Sequence, residues 1–172
     1  MREILFKAKL KDWKTNPQQN KWVEGYYLSK KETTYCFAED YEKFPVKTLH
    51  YIAVDSMTDW GLPNEFRCYE IDQDTLCQYT GLTDKNENKI WENDIVKVHV
   101  FYEIAEGYGN HETVQGIICY DAMGMLMIKV EIVDGIPCYS DILLHAAIAG
   151  VDIEIERLGN IFDNPEQIKS EF

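Results

Sequence analysis

The sequence predicts a mainly β fold, of the β-rich α+β kind. Three observations carry that expectation. Aromatic residues are abundant, with eleven Tyr, seven Phe and four Trp in 172 residues, and these side chains suit a pleated, half-buried surface. Apolar residues recur at period two, as at Leu126, Ile128, Val130 and Ile132 and again at Val151, Ile153 and Ile155, which places each set on one face of a strand. Clusters of Gly, Asn, Asp and Pro separate the runs and mark turns.

In chain order, residues 3–10 alternate from Phe6 onward and read as a strand. Residues 12–20 hold Asn16-Pro17 among polar neighbours and read as a loop or hairpin tip. Residues 22–28 form the next strand, where Gly25 signals a bulge or a close backbone approach. A polar turn at 29–32 leads to a third strand at 33–38. Pro45 and Pro63 exclude long helices from 39–67. A short strand is expected at 49–54, a packed loop around Trp60-Gly61 at 55–64, and a further strand at 67–71. An acidic turn at 72–76 closes the first part, and the domain division is set at residue 72, giving 1–72 and 73–172.

The second part opens on residues 78–98, read as strand end, polar turn and new strand. Gly81 takes positive φ freely, and Asp84, Asn86 and Asn88 suit the turn. Strands follow at 94–102, 113–120, 125–133 and 136–139. Gly116 is read as a kink, 106–110 as a connection, 121–124 as a turn and Asp134-Gly135 as a hairpin signal. Residues 140–150 are the best helix candidate, with Ser140 as N-cap and Gly150 as C-cap. A strand at 151–156 has one wet face, and Pro165 opens a last short helix. Five short strands from 94 to 162 suggest a small closed or half-closed barrel of SH3-like kind.

Three motifs carry a resemblance. Gln78-Tyr79-Thr80-Gly81-Leu82, followed by Asp84-Lys85-Asn86, Ile90 and Asp94-Ile95-Val96, resembles the signature of the YopX family of bacteriophage and prophage proteins. The strand Trp22-Val23-Glu24-Gly25-Tyr26 and the close Gly159-Asn160-Ile161-Phe162-Asp163-Asn164-Pro165 also match family features. Two positions depart. Glu87 stands where the family has Gly, so positive φ is expected at Asn86 or Asn88 instead. Asn93 replaces a second Gly, and Asn is the commonest non-Gly visitor to the left-handed region. The resemblance implies a phage-type protein and assigns no catalytic, cofactor or metal residue.

Composition narrows the functional classes. Net charge is −13. Residues 1–60 hold ten Lys/Arg against nine Asp/Glu, and 61–172 hold seven against twenty-one. That acidic surface repels DNA phosphates and anionic membranes, so no membrane partner is expected. Arg2, Glu3, Lys7, Lys9 and Lys11 break the opening stretch too often for an apolar leader. No apolar run nears the roughly 20 residues of a membrane span. Cytoplasmic location is expected. The five cysteines, at 36, 68, 77, 119 and 138, show no CxxC pair and read as reduced thiols.

Chemistry-bearing residues are scattered. His50, His99, His111 and His145 show no metal-binding spacing. No Gly-x-Ser-x-Gly elbow or phosphate loop occurs. Asp84, Glu92 and Asp94 offer carboxylates for a cation or for acid–base work, and they equally suit turns and strand ends. Trp22, Tyr26, Tyr27, Trp60, Tyr79 and Trp91, with Lys21, Lys30, Lys31, Lys43 and Lys47, offer a platform for single-stranded nucleic acid, or aromatic packing. Asp152, Glu154 and Glu156 alternate along one strand at about 6–7 Å, near the phosphate spacing of DNA. No enzyme activity and no cofactor are expected. The expected role is a protein-interaction module for a host or phage protein, with homo-oligomerisation through uncovered strand edges. A nucleic-acid-binding module and an acidic DNA mimic are the alternatives.

Overall fold

In the computed structural model of the chain, residues 3–104, 108–133, 136–140 and 153–169 are described. The chain forms two compact units, Met1–Gln78 and Tyr79–Phe172. Both are built from antiparallel strands, so the mainly β class holds.

The first unit contains β1 (Phe6–Lys9), β2 (Trp22–Lys31), β3 (Thr48–Ser56) and β4 (Glu65–Glu70), each paired with the next. The far end of β4 curls back to β1. Leu10 bridges Ile71, Lys11 N donates to Glu70 O at 3.1 Å, and Asp72 N donates to Lys9 O at 3.0 Å. The start of β5 (Cys77–Thr83) pairs with β1 at Phe6 and Lys7. Period-two alternation sends Phe6, Ala8, Val23, Tyr27, Ile52 and Val54 to one face, where they close on Ile71 and Leu76 as a core. Gly25 is a close backbone approach: a Cβ there would overlap the Ala53 carbonyl oxygen.

Two local expectations fail here. Residues 33–38 do not form a strand. β2 pairs directly with β3 through Lys31–Thr48, so the slot beside β2 is filled and 32–47 is an excursion. The excursion carries α1 (Ala38–Lys43), with Glu39 and Asp40 in its first turn and Lys43 in its last, the arrangement the helix dipole favours. The loop around Trp60 is not packed either. β3 and β4 pair out to Ser56–Glu65, which leaves the connection beyond the sheet and Trp60 88% exposed.

The second unit holds the rest of β5, then β6 (Lys89–Trp91), β7 (Asp94–Ile104), β8 (Tyr108–Tyr120), β9 (Leu126–Val133), β10 (Ile136–Ser140) and β11 (Ile153–Asn160). The sheet order is β10-β9-β8-β7-β11. Among the described residues no pair joins β10 to β11, so of the closed and half-closed arrangements expected, no closed ring is seen. Its core is Val96, Val98, Val100, Ile118, Ile128 and Ile155, with Ile90 from β6 and Leu82 from β5 packed on it. Gly116 is a contact point, since a Cβ would overlap the Lys129 carbonyl oxygen. The turn at 121–124 forms, with Gly124 at φ 80° and Asp121 Oδ1 accepting from Met123 N and Met125 N. Ser140 ends β10, and the helix expected at 140–150 otherwise lies outside the described residues, as does Asp134-Gly135. A one-turn α2 (Glu166–Lys169) follows Pro165. Among the described residues no helix is long and apolar enough to cross a membrane.

Candidate functional site

The signature residues come together, and their geometry is that of a backbone lock. The Asp84 carboxylate accepts from Asn86 N at 2.8 Å, Asn88 N at 2.8 Å and Asn88 Nδ2 at 3.1 Å. Burial alone would push this carboxyl up. The donors from Asn88 and Asn86, with the Arg157 backbone, outweigh burial and hold it below its ordinary value. The left-handed residue of the turn is Glu87, at φ 65°, rather than Asn86 or Asn88. Asp84 ties down the N–H groups on either side of residue 87, so the strained conformation falls between them whatever residue stands there. Asn93 does take positive φ, at 66°.

Asp94 is fully buried. Its Oδ2 accepts from Trp91 N at 3.0 Å and lies 2.8 Å from Arg157 Nε. The Nε–H is not aimed at that oxygen, so this contact is an ion pair rather than an aligned hydrogen bond. Asn93 N donates to Ile118 O at 2.8 Å, and Ile161 N donates to Asn93 O at 3.1 Å. The closing motif is therefore stitched to the signature. Within it, Asn160 Oδ1 accepts from Phe162 N and Asp163 N at 3.0 and 2.9 Å, and Asn160 Nδ2 donates to Asp163 Oδ2 at 2.8 Å. Each of these polar groups is engaged in shaping backbone. Asp84, Glu92 and Asp94 are not gathered around a common point, and among the described residues no group of three or more His, Cys, Asp or Glu is placed to hold a metal.

The acidic strand is partly neutralised. Lys85 Nζ lies 3.3 Å from Glu154 Oε1 and 3.1 Å from Glu156 Oε2, so the two carboxylates share one cation. Sequence spacing did not show this, because Lys85 arrives from a hairpin some seventy positions away. Asp152 lies outside the described residues.

The nucleophile candidates are dispersed. His50 Nδ1 is 2.6 Å from the Tyr27 hydroxyl, and the two rings stack. His99 Nδ1 is 3.0 Å from Thr113 Oγ1. The side chains of His111 and His145 lie outside the described set, as does Cys138. Cys36 and Cys68 are exposed free thiols, and Cys77 is buried. Burial pushes the Cys119 thiol up, which disfavours the thiolate needed for attack.

The candidate stacking platform is occupied by its own cations. Lys7 and Lys9 alternate on β1 and place their Nζ atoms 4.8 and 4.9 Å from the Trp22 ring centre. Lys9 also lies 5.3 Å from Trp13 and donates to Asn20 Oδ1 at 2.6 Å. Both lysines are nearly inaccessible, at 6% and 2% exposure. Asp72 anchors the far side, accepting from Trp13 Nε1 at 3.0 Å with Lys14 Nζ 3.4 Å away. Lys30 lies over Tyr51 and Lys31 over Tyr41. Tyr79 and Trp91 pack against each other with Lys89 above them. Lys7, Lys9 and Trp13 are not among the residues that sequence reasoning singles out for the platform. The Lys-x-Lys spacing of a strand was the available signal.

What remains open is apolar. Tyr26 and Leu28 on β2 are 47% and 48% exposed, and Phe66 on β4 is 65% exposed. Tyr26 and Phe66 meet edge to face with ring centres 6.0 Å apart. Leu28, Ser29, Lys30, Tyr51 and Cys68 line an open depression of about 350 Å³. β4 is exposed along nearly its whole length. The sheet thus presents an apolar face beside a strand edge, which is what protein-binding surfaces use.

A family model described as YopX protein matches residues 13–169. No curated protein matches the chain, and no solved structure does.

Proposed function

The chain belongs to the YopX family, and from that premise we propose that it acts by binding another protein, from the host or the phage, rather than by catalysis. Family membership suggests a phage-type protein. The observation that carries the reading is the exposed Tyr26, Leu28 and Phe66 face of the first unit. Burying such side chains against a partner stabilises a complex by about 25 cal/mol per Å² of apolar surface before association costs. The polar residues of the family motifs, by contrast, are engaged in holding turns. The exposed thiols Cys36 and Cys68 fit a reducing compartment such as the cytosol. The nucleic-acid alternative is weakened because lysines cover the ring faces of Trp13 and Trp22. The DNA-mimic alternative is weakened because Lys85 offsets one of the two negative charges of Glu154 and Glu156.

The test is a tagged pull-down from host lysate at low and high salt, comparing wild type with a Tyr26→Glu/Leu28→Glu variant. A protein held through high salt by wild type and lost by the variant is the expected result. Equal capture by both, or steady turnover of a substrate by pure protein, overturns the reading. DNA-binding proteins retained only at low salt would favour the mimic instead.

A further inference from the structure

We propose that the outer edge of β4 pairs antiparallel with β4 of a second copy of this chain, with the two-fold axis at Phe66. This names a partner for the apolar face described above and so rests on that reading. The argument begins with backbone parity. Ile71 N donates to His50 O at 3.0 Å, so residues 71, 69, 67 and 65 aim their hydrogen-bonding groups at β3. In an antiparallel ladder the alternate residues point away. Glu70, Cys68 and Phe66 therefore face outward, and the Glu70 carbonyl is already taken by Lys11 N. The free edge is the short stretch around Phe66 and Cys68.

Charge then selects the register. Outward-facing residues must pair with outward-facing residues. With the axis at Arg67, Arg67 would oppose Arg67 of the second copy, and like charges directly opposite destabilise. With the axis at Cys68, Phe66 would oppose Glu70, whose carbonyl is committed. With the axis at Phe66, Phe66 opposes itself and Cys68 opposes Asn64. Glu65 then opposes Arg67 twice, in the closer non-hydrogen-bonded pairs. Glu65 and Arg67 already share a face, 3.3 Å apart within one strand. The two copies would set these four charges in alternating sign. On the opposite face Tyr26 and Phe66 would continue across the axis as one apolar stripe.

Each copy carries a net charge of −13, so long-range repulsion opposes association and salt relieves it. A local charge exchange is therefore the cleaner test. The purified chain is examined by sedimentation velocity over a wide concentration range, with circular dichroism to check folding. Wild type is expected to dimerise. Arg67→Glu should weaken the dimer about tenfold or more by placing Glu against Glu twice, and the double exchange Glu65→Arg/Arg67→Glu should restore it. Phe66→Pro removes the outward N–H together with the exposed ring that meets Tyr26, yet no hydrogen bond to β3; it should abolish the dimer. A folded wild type that stays monomeric overturns the proposal. So does a dimer indifferent to Phe66→Pro, or one that the double exchange fails to rescue. The assay contains no lysate, so a monomeric result leaves the protein-binding reading to be judged on its own experiment.

Discussion

Glu87→Gly should stabilise the protein. Glu87 sits at φ 65° on the turn between β5 and β6, and its side chain is exposed. A residue with a Cβ in the left-handed region costs roughly 1–2 kcal/mol. Glycine removes that strain but brings back about 0.5–1 kcal/mol of unfolded-chain entropy. The net gain is about 0.5–1 kcal/mol. The hydrogen bond from residue 87 N to Asp84 O, 3.0 Å, uses only backbone and survives. A chain of this size then melts about 1–4 °C higher. The control is Asn86→Gly, where no positive φ exists to relieve, and which should destabilise by about 0.5–1 kcal/mol. Urea and thermal unfolding of both variants give the answer. If Asn86→Gly stabilises while Glu87→Gly destabilises, residue 87 is not the left-handed position, and the argument that Asp84 dictates the turn fails.

Other outcomes follow from the same geometry. Asp84→Ala strands the N–H groups of Asn86 and Asn88 and should cost about 2–4 kcal/mol in urea unfolding. Because the Asp84 carboxyl is held below its ordinary value, its contribution is present above the unfolded pKa of about 3.9 and lost as pH falls through the folded value. Asp84→Asn should therefore lose less stability than wild type between pH 5 and pH 3. Gly25→Ala drives a Cβ into the Ala53 carbonyl and should destabilise by about 2–3 kcal/mol, whereas Gly124→Ala meets only open space and pays the backbone strain alone. Alkylation followed by mass spectrometry should find Cys36 and Cys68 modified first, with Cys119 delayed and its reaction onset shifted to higher pH.

The β class, the positions of most strands and the chemistry of the family turns are legible from the residues alone, because these depend on local rules. Period two marks a strand wherever it lies, Gly25 announces a close approach, and Asp, Asn and Gly build turns from their own neighbours. Local chemistry fell short where the neighbour was distant. Thr33 and Thr34 favour extended backbone, but β3 already held the place beside β2. Asn86 and Asn88 were the better residues for positive φ, yet Asp84 bound the backbone on both sides of Glu87. Lys7 and Lys9 are only the polar positions of an alternating strand until β2 lays Trp22 across them. Glu154 and Glu156 read as a bare acidic row until Lys85 came over from the signature hairpin. The candidate surface was hidden for the same reason. Tyr26 and Phe66 are ordinary strand aromatics until strand order decides which face is covered, and strand order is a property of the folded chain as a whole.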